Sequence, residues 1–217
     1  MTPELVVADD VAAAGANLFL ELAPRTVALA GGSTPRQMYE RLVRSSFDWG
    51  KTDLFFGDER CVPPDDNASN YRMANEALVS KVHARVHRMR GEDCDAEGYE
   101  AELRSVFGDR LPRFDLVLLG LGEDGHTASL FPDDAALDER ERWVVEVERP
   151  DYKRLTLTLP VISAAKVAMF LVSGEAKRPA FRQLLTAADI PAARVEAERV
   201  VVIADEAAVP LGFNASS

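Results

Sequence analysis

Apolar positions in this chain fall into two patterns. Short continuous runs occur at Thr26–Ala30, Asp53–Gly57, Phe114–Leu119, Val167–Val172 and Val200–Ala204. Such runs, five or six residues long, are how strands buried on both faces of a parallel sheet read. Between them the apolar residues recur every three or four positions. Val11, Ala14, Leu18 and Leu22 follow a capping Asp9 or Asp10; Met38, Tyr39 and Leu42 form a second set; Met73, Ala77 and Leu78 lie in a helix expected over Asn70–Val82. Further helices are expected over Ala96–Phe107, over the short Val161–Ala165, and around Phe181, Leu184 and Leu185. Arg85–Met89 reads as a short strand, while Trp143–Val147 and Leu155–Leu159 alternate like half-exposed strands. The order is β-α-β-α, which predicts an α/β fold: a doubly wound, mostly parallel sheet with helices on both faces and a small antiparallel annex. No linker interrupts it, so residues 1–217 are expected to form one domain.

Glycine or charge follows directly on four of these strands, at positions 31–35, 57–60, 120–126 and 173–178. In a parallel sheet all four loops emerge at one edge, where open α/β sheets bind ligands. Gly31-Gly32-Ser33-Thr34-Pro35 reads as a glycine turn, a capping hydroxyl and a proline opening a helix, which offers backbone N–H groups to an anion. It lacks the Gly-Lys-Ser/Thr ending of a Walker loop. Lys177 and Arg178 stand in the first turn of the next helix, where the macrodipole disfavours cations, an arrangement explained by an anion between them. Gly120, Gly122 and Gly125 satisfy G-x-G-x-x-G, but Pro132 interrupts the chain within two turns and His126 stands where a pyrophosphate should pass. His126 is instead placed to move protons near neutral pH. Asp58-Glu59-Arg60, taken alone, reads as a solvated charge run.

Composition narrows the chemistry. The 217 residues are 47% hydrophobic and carry a net charge of −11, which argues against nucleic acid or an anionic membrane as partner. An acidic protein that binds an anion must gather its cations locally. Cys61 and Cys94 suggest neither a disulfide framework nor a metal site, and the amino terminus lacks the regions of a signal peptide, so a reducing cytoplasm is the expected setting. His83 and His87 stand four apart without an evident third ligand, and no metal is expected. No G-x-S-x-G elbow seats a serine nucleophile, and Cys61 has no evident base, which leaves water activated by His126.

AGGSTP at Ala30–Pro35, GDER at Gly57–Arg60, SNY at Ser69–Tyr71, GLGEDGHTASLFP at Gly120–Pro132 and SGEAKR at Ser173–Arg178 together resemble the 6-phosphogluconolactonase family in order and spacing. The resemblance implies a parallel α/β fold shared with glucosamine-6-phosphate deaminases. It implies hydrolysis of 6-phospho-D-glucono-1,5-lactone to 6-phosphogluconate, in the oxidative pentose phosphate pathway; no cofactor is expected, and the protein is expected to act as a cytoplasmic monomer. Carried over by position, His126 is the general base; Arg60, Lys177 and Arg178 hold the phosphate; Gly32, Ser33 and Thr34 line the substrate. Asp58 and Asp124 match motif acids that either orient His126 or bind sugar hydroxyls. The oxyanion donors are loop N–H groups or Arg60. The related deaminases place a glutamate before the loop's proline, where this chain has Leu130-Phe131-Pro132. Non-catalytic sugar-phosphate sensors share the fold but need a DNA-binding module, for which fewer than about 30 residues before the first core strand are too few.

Overall fold

The computed structural model describes residues 3–210. In chain order its elements are β1 (Glu4–Val7), α1 (Val11–Leu22), β2 (Thr26–Leu29), α2 (Ser33–Leu42), β3 (Asp53–Phe56), β4 (Asp58–Arg60), α3 (Asn70–Ala77) and β5 (Arg85–Val86). There follow α4 (Ala96–Phe107), β6 (Leu116–Leu119), β7 (Val144–Val147), β8 (Arg154–Leu157), α5 (Leu159–Ser163), β9 (Val167–Val172), α6 (Arg178–Leu185) and β10 (Arg199–Ala204).

Seven strands form one sheet in the order β1-β10-β9-β6-β2-β3-β5, with every pairing parallel. The apolar runs are its central strands: every residue of β3, β6 and β9 is buried, as a sheet covered on both faces requires. Successive residues point to opposite faces. Phe55 meets Phe107 of α4, whereas its neighbour Phe56 meets Tyr71 of α3, so α4 and α3 lie on opposite faces. Helix α1 packs on α2 and against β9 and β10. From β2 the chain winds one way to β3 and the other way to β6, which makes the β2–β6 boundary the switch point where the following loops part and leave a crevice.

The antiparallel annex has the order β4-β8-β7. Strands β7 and β8 occupy the alternating stretches, but β4 is Asp58-Glu59-Arg60, the segment the sequence presents as a solvated charge run. Its Cα partners Thr156, Leu155 and Arg154 lie more than 90 residues downstream, so no local pattern reveals it. Strand β1 also escapes the apolar pattern, because it is a partly exposed edge strand beside β10. Helix α3 stops at Ala77 instead of Val82, where the fully buried Leu78 leaves helical geometry (φ −140°, ψ −61°). Among the described residues no helix is long and apolar enough to cross a membrane.

The expectation of two unpaired cysteines is also corrected. The 90–94 turn lies directly over the end of β4, and a Cβ at Gly91 would fall 2.2 Å from the Arg60 carbonyl oxygen. This contact brings Cys61 and Cys94 to a Cα separation of 5.1 Å, joined as a disulfide across 33 residues. Closing a loop of that size restricts the unfolded chain by about 3–4 kcal/mol at most. Oxidised protein should therefore show no titratable thiol until denatured and reduced, and reduction should lower its urea midpoint. Two reactive thiols in the oxidised native protein, or an unchanged midpoint, would contradict the pairing.

Candidate active site

Helix α2 begins at the switch point with its amino end unsealed. Its N-cap is Gly32, which supplies no side-chain hydrogen bond, so Ser33 is the first helical residue and not a capping hydroxyl, and Pro35 is the third and not the first. The Ser33 and Thr34 amides, lacking intrahelical partners, remain available to an anion. A Cβ at position 31 would lie 2.0 Å from Asn70 Oδ1, so a larger residue there must displace the Asn70 amide.

Strand β4 supplies the next wall, and its period of two divides the labour. Glu59 points away from the cavity into the amino end of α3. Its carboxylate accepts from the N–H groups of Arg60, Asn70 and Tyr71 at 2.7 Å each, and from Ser69 Oγ at 3.0 Å. Burial pushes this carboxyl above its ordinary value, and those four donors pull against the shift. Asp58 and Arg60 point the other way, into the cavity. Asp58 is held by Ser129 Oγ at 2.7 Å and by Asn70 Nδ2 at 3.2 Å. It thus ties α3 to the loop that carries His126.

That loop follows β6. The imidazole folds back so closely that a Cβ at position 122 would fall 2.0 Å from His126 Nδ1. Asp124 Oδ1 meets Nδ1 at 2.6 Å and accepts from the His126 N–H at 3.1 Å. Burial works against the Asp124 charge, but the His126 N–H and ring outweigh it and hold the carboxyl below the usual carboxylate range. A depressed carboxyl keeps its charge above that range and loses it only as pH falls through the lowered value, so Asp124 is an anion at neutral pH. An ionised carboxylate only accepts; Nδ1 therefore carries the proton and Nε2 presents its lone pair. The ring rests on Phe131, with centroids 4.5 Å apart.

These walls enclose a cavity of about 350 Å³ lined by Gly31–Pro35, Asp58, Arg60, Asn70, Gly122, His126, Arg154, Ser173 and Lys177, among others. The loops after β2, β3, β6 and β9 thus converge as the parallel sheet predicts. Of the expected residues, Gly32, Ser33, Thr34, Asp58, Arg60, His126 and Lys177 line it, with Asp124 directly behind His126. Arg178 does not. Its guanidinium turns away from the cavity to the Ala207 carbonyl oxygen at 2.8 Å and to Glu175 at 3.0 Å, tethering the start of α6, so the structure does not bring it together with Arg60 and Lys177. Arg154, Asn70 and Ser129 escaped the sequence reading. Asn70 stands in the SNY motif and was open to it; Arg154 reaches the cavity only through the β4–β8 pairing.

Fold and cavity together define an α/β protein with a cationic cleft facing a carboxylate-held imidazole. The family described as glucosamine-6-phosphate isomerases/6-phosphogluconolactonase matches residues 5–204. A 6-phosphogluconolactonase of Synechocystis is 42% identical over 169 residues, covering 73% of this chain and 70% of that protein. One of Haemophilus influenzae is 34% identical over 206 residues, with 87% and 88% covered. The crystal structure of the Thermotoga maritima 6-phosphogluconolactonase superposes with a TM-score of 0.83 at 29% identity, covering 94% of this chain and 99% of that one. The chain belongs to the glucosamine-6-phosphate isomerase/6-phosphogluconolactonase family.

Glu59 gives this geometry a direct test. Glu59→Gln turns an amide NH₂ toward backbone donors and leaves one of them buried without an acceptor, at about 1–3 kcal/mol. The variant should unfold at lower denaturant by that amount, and an unchanged midpoint would show that Glu59 does not anchor α3.

Proposed function

We propose that this chain hydrolyses 6-phospho-D-glucono-1,5-lactone to 6-phosphogluconate with His126 as general base. The observation that carries the reading is the His126 ring, with Nδ1 fixed by Asp124 and Nε2 unbonded among the described residues, in a cavity lined by cations. A δ-lactone is already an activated ester, so attack by water needs no covalent enzyme intermediate. His126 Nε2 takes a proton as the water oxygen bonds to C1. The ring C1–O bond then breaks, and the imidazolium returns the proton to the departing O5. Asp124 favours the imidazolium in between and fixes the tautomer. Arg60, Lys177 and the free amides at the amino end of α2 supply the positive field for the phosphate, with Gly32, Ser33 and Thr34 along the substrate. Asp58, fixed by Ser129 and Asn70, offers its remaining lone pairs to a sugar hydroxyl.

The loop beyond His126 runs through the buried Leu130 and Phe131 to Pro132 and carries no carboxylate before the proline. Amine chemistry of the deaminase kind would lack that proton carrier. The proposal takes the chain as a single domain acting as a cytoplasmic monomer. A phosphorylated lactone carries charge that keeps it from crossing membranes, so its hydrolase works where the lactone is made.

His126→Ala should lower kcat at least about 100-fold, the usual scale of general-base catalysis, with little change in thermal stability because the ring is a third exposed. A folded variant working at near wild-type rate above the spontaneous background would refute the assignment. Lys177→Ala should cost roughly 10- to 150-fold in kcat/KM, the worth of one charge-assisted hydrogen bond. Equal wild-type rates on the phosphorylated and unphosphorylated lactones would contradict phosphate recognition here.

A further inference from the structure

The glycines in the loop after β6 are present for different reasons. Gly125 takes a positive φ of 86°, a conformation glycine adopts without strain. Gly122 lies outside that left-handed region, so its backbone is one that alanine also adopts. What sets Gly122 apart is the space beside it. A Cβ there would fall 2.0 Å from His126 Nδ1, 2.4 Å from His126 Cε1 and 2.5 Å from Asp124 Oδ1. All three atoms belong to the imidazole–carboxylate pair.

The backbone at this point has little room to retreat. The Gly122 N–H donates to the His126 carbonyl oxygen at 2.8 Å, and the Gly125 N–H to the Gly122 carbonyl oxygen at 3.1 Å, which closes the turn. Thr127 Oγ1 donates to the Gly120 carbonyl oxygen at 2.9 Å. Behind the turn, the Ala192 N–H donates to the Gly125 carbonyl oxygen at 3.1 Å, and a Cβ on Gly125 would lie 2.8 Å from Ile190 Cβ. The chain is thus pinned at 120, 122 and 125. A methyl group added at 122 must move the side chains, and contacts of a real Cβ essentially never fall under 3.0 Å. The ring would have to shift by about 1 Å or more. The imidazole is 32% exposed, so it has open space to swing into, away from Asp124.

We propose that Gly122 is a positioning residue: the volume left by its absent side chain seats the His126–Asp124 pair, and that seat aims Nε2 at the attacking water. This inference rests on the lactonase reading and deepens it. A misplacement of about 1 Å costs a reaction of this kind about 100-fold. Substrate binding is carried by other segments, with Arg60 on β4 and Lys177 beyond β9, so the loss should fall on the chemical step.

The test is Gly122→Ala. On the phosphorylated lactone kcat should fall about 100-fold while KM changes less than about threefold, and calorimetric binding of 6-phosphogluconate should also stay within about threefold. The Tm should remain within about 4 °C of the wild type, because the backbone is permitted and only side chains move. A second readout is independent of turnover. Long-range proton–nitrogen NMR locates the proton on the neutral His126 ring, whose signals are those missing from His126→Ala. It should sit on Nδ1 in the wild type and be shared with Nε2 in Gly122→Ala. A Gly122→Ala protein with wild-type kcat, or with the Nδ1 proton still in place, would overturn the proposal. So would a loss of 6-phosphogluconate affinity as large as the loss in kcat. Should Gly122→Ala not fold, the Gly122→Ala/His126→Ala double variant decides: without the ring there is room for the Cβ, and the protein should fold. If it does not, something other than the pair limits position 122 and the proposal fails. A wild-type protein that turned over no lactone, yet lost its Nδ1 preference on Gly122→Ala, would refute the lactonase reading and support the seat.

Discussion

The site depends on one three-residue strand that leaves the main sheet and joins another. Strand β3 ends at Phe56, and after Gly57 the chain pairs with β8 as β4. Its alternation sends Glu59 into the amino end of α3, while Asp58 and Arg60 face the cavity. Glu59 satisfies three backbone N–H groups and a hydroxyl that would otherwise be buried without partners. Burying a carboxylate is costly, and here that cost is offset by four donors within hydrogen-bond distance. The same anchoring places Asn70 against Asp58 and Gly31, which binds α3, β4 and the turn after β2 into one wall.

The cavity concentrates positive charge in a protein whose net charge is −11. Arg60, Arg154 and Lys177 line it, and the unsealed end of α2 adds backbone dipole to their field. Across the cavity, Asp124 keeps His126 in the tautomer that leaves Nε2 basic. The two halves do different work. On the proposed reading the cationic wall binds a group that does not react, and the imidazole acts on the one that does.

Much of this was legible in the sequence. The buried strands announce themselves as apolar runs, because a parallel sheet covered on both faces has no polar side to show. The glycine turns after them mark the sheet's carboxyl edge, and His126 stands out within one. The rest depends on pairings between distant residues. Nothing local distinguishes Asp58-Glu59-Arg60 from an exposed charge run; its partner strand begins at Arg154, and only the ladder reveals either arginine's neighbour. Arg178 looks equivalent to Lys177 in the chain, yet the helix start turns it back to the Ala207 carbonyl oxygen. Cys61 and Cys94 read as unrelated until the 90–94 turn is seen lying on the end of β4.

The central claim is that an imidazole held by a carboxylate hydrolyses a phosphorylated δ-lactone in this cavity. The most direct measurement follows the purified wild-type protein with that lactone, corrected for spontaneous hydrolysis, beside glucosamine 6-phosphate assayed for released ammonia. The account predicts lactone hydrolysis far above the spontaneous rate and no ammonia. Ammonia release, or a lactone rate indistinguishable from the background, would contradict it.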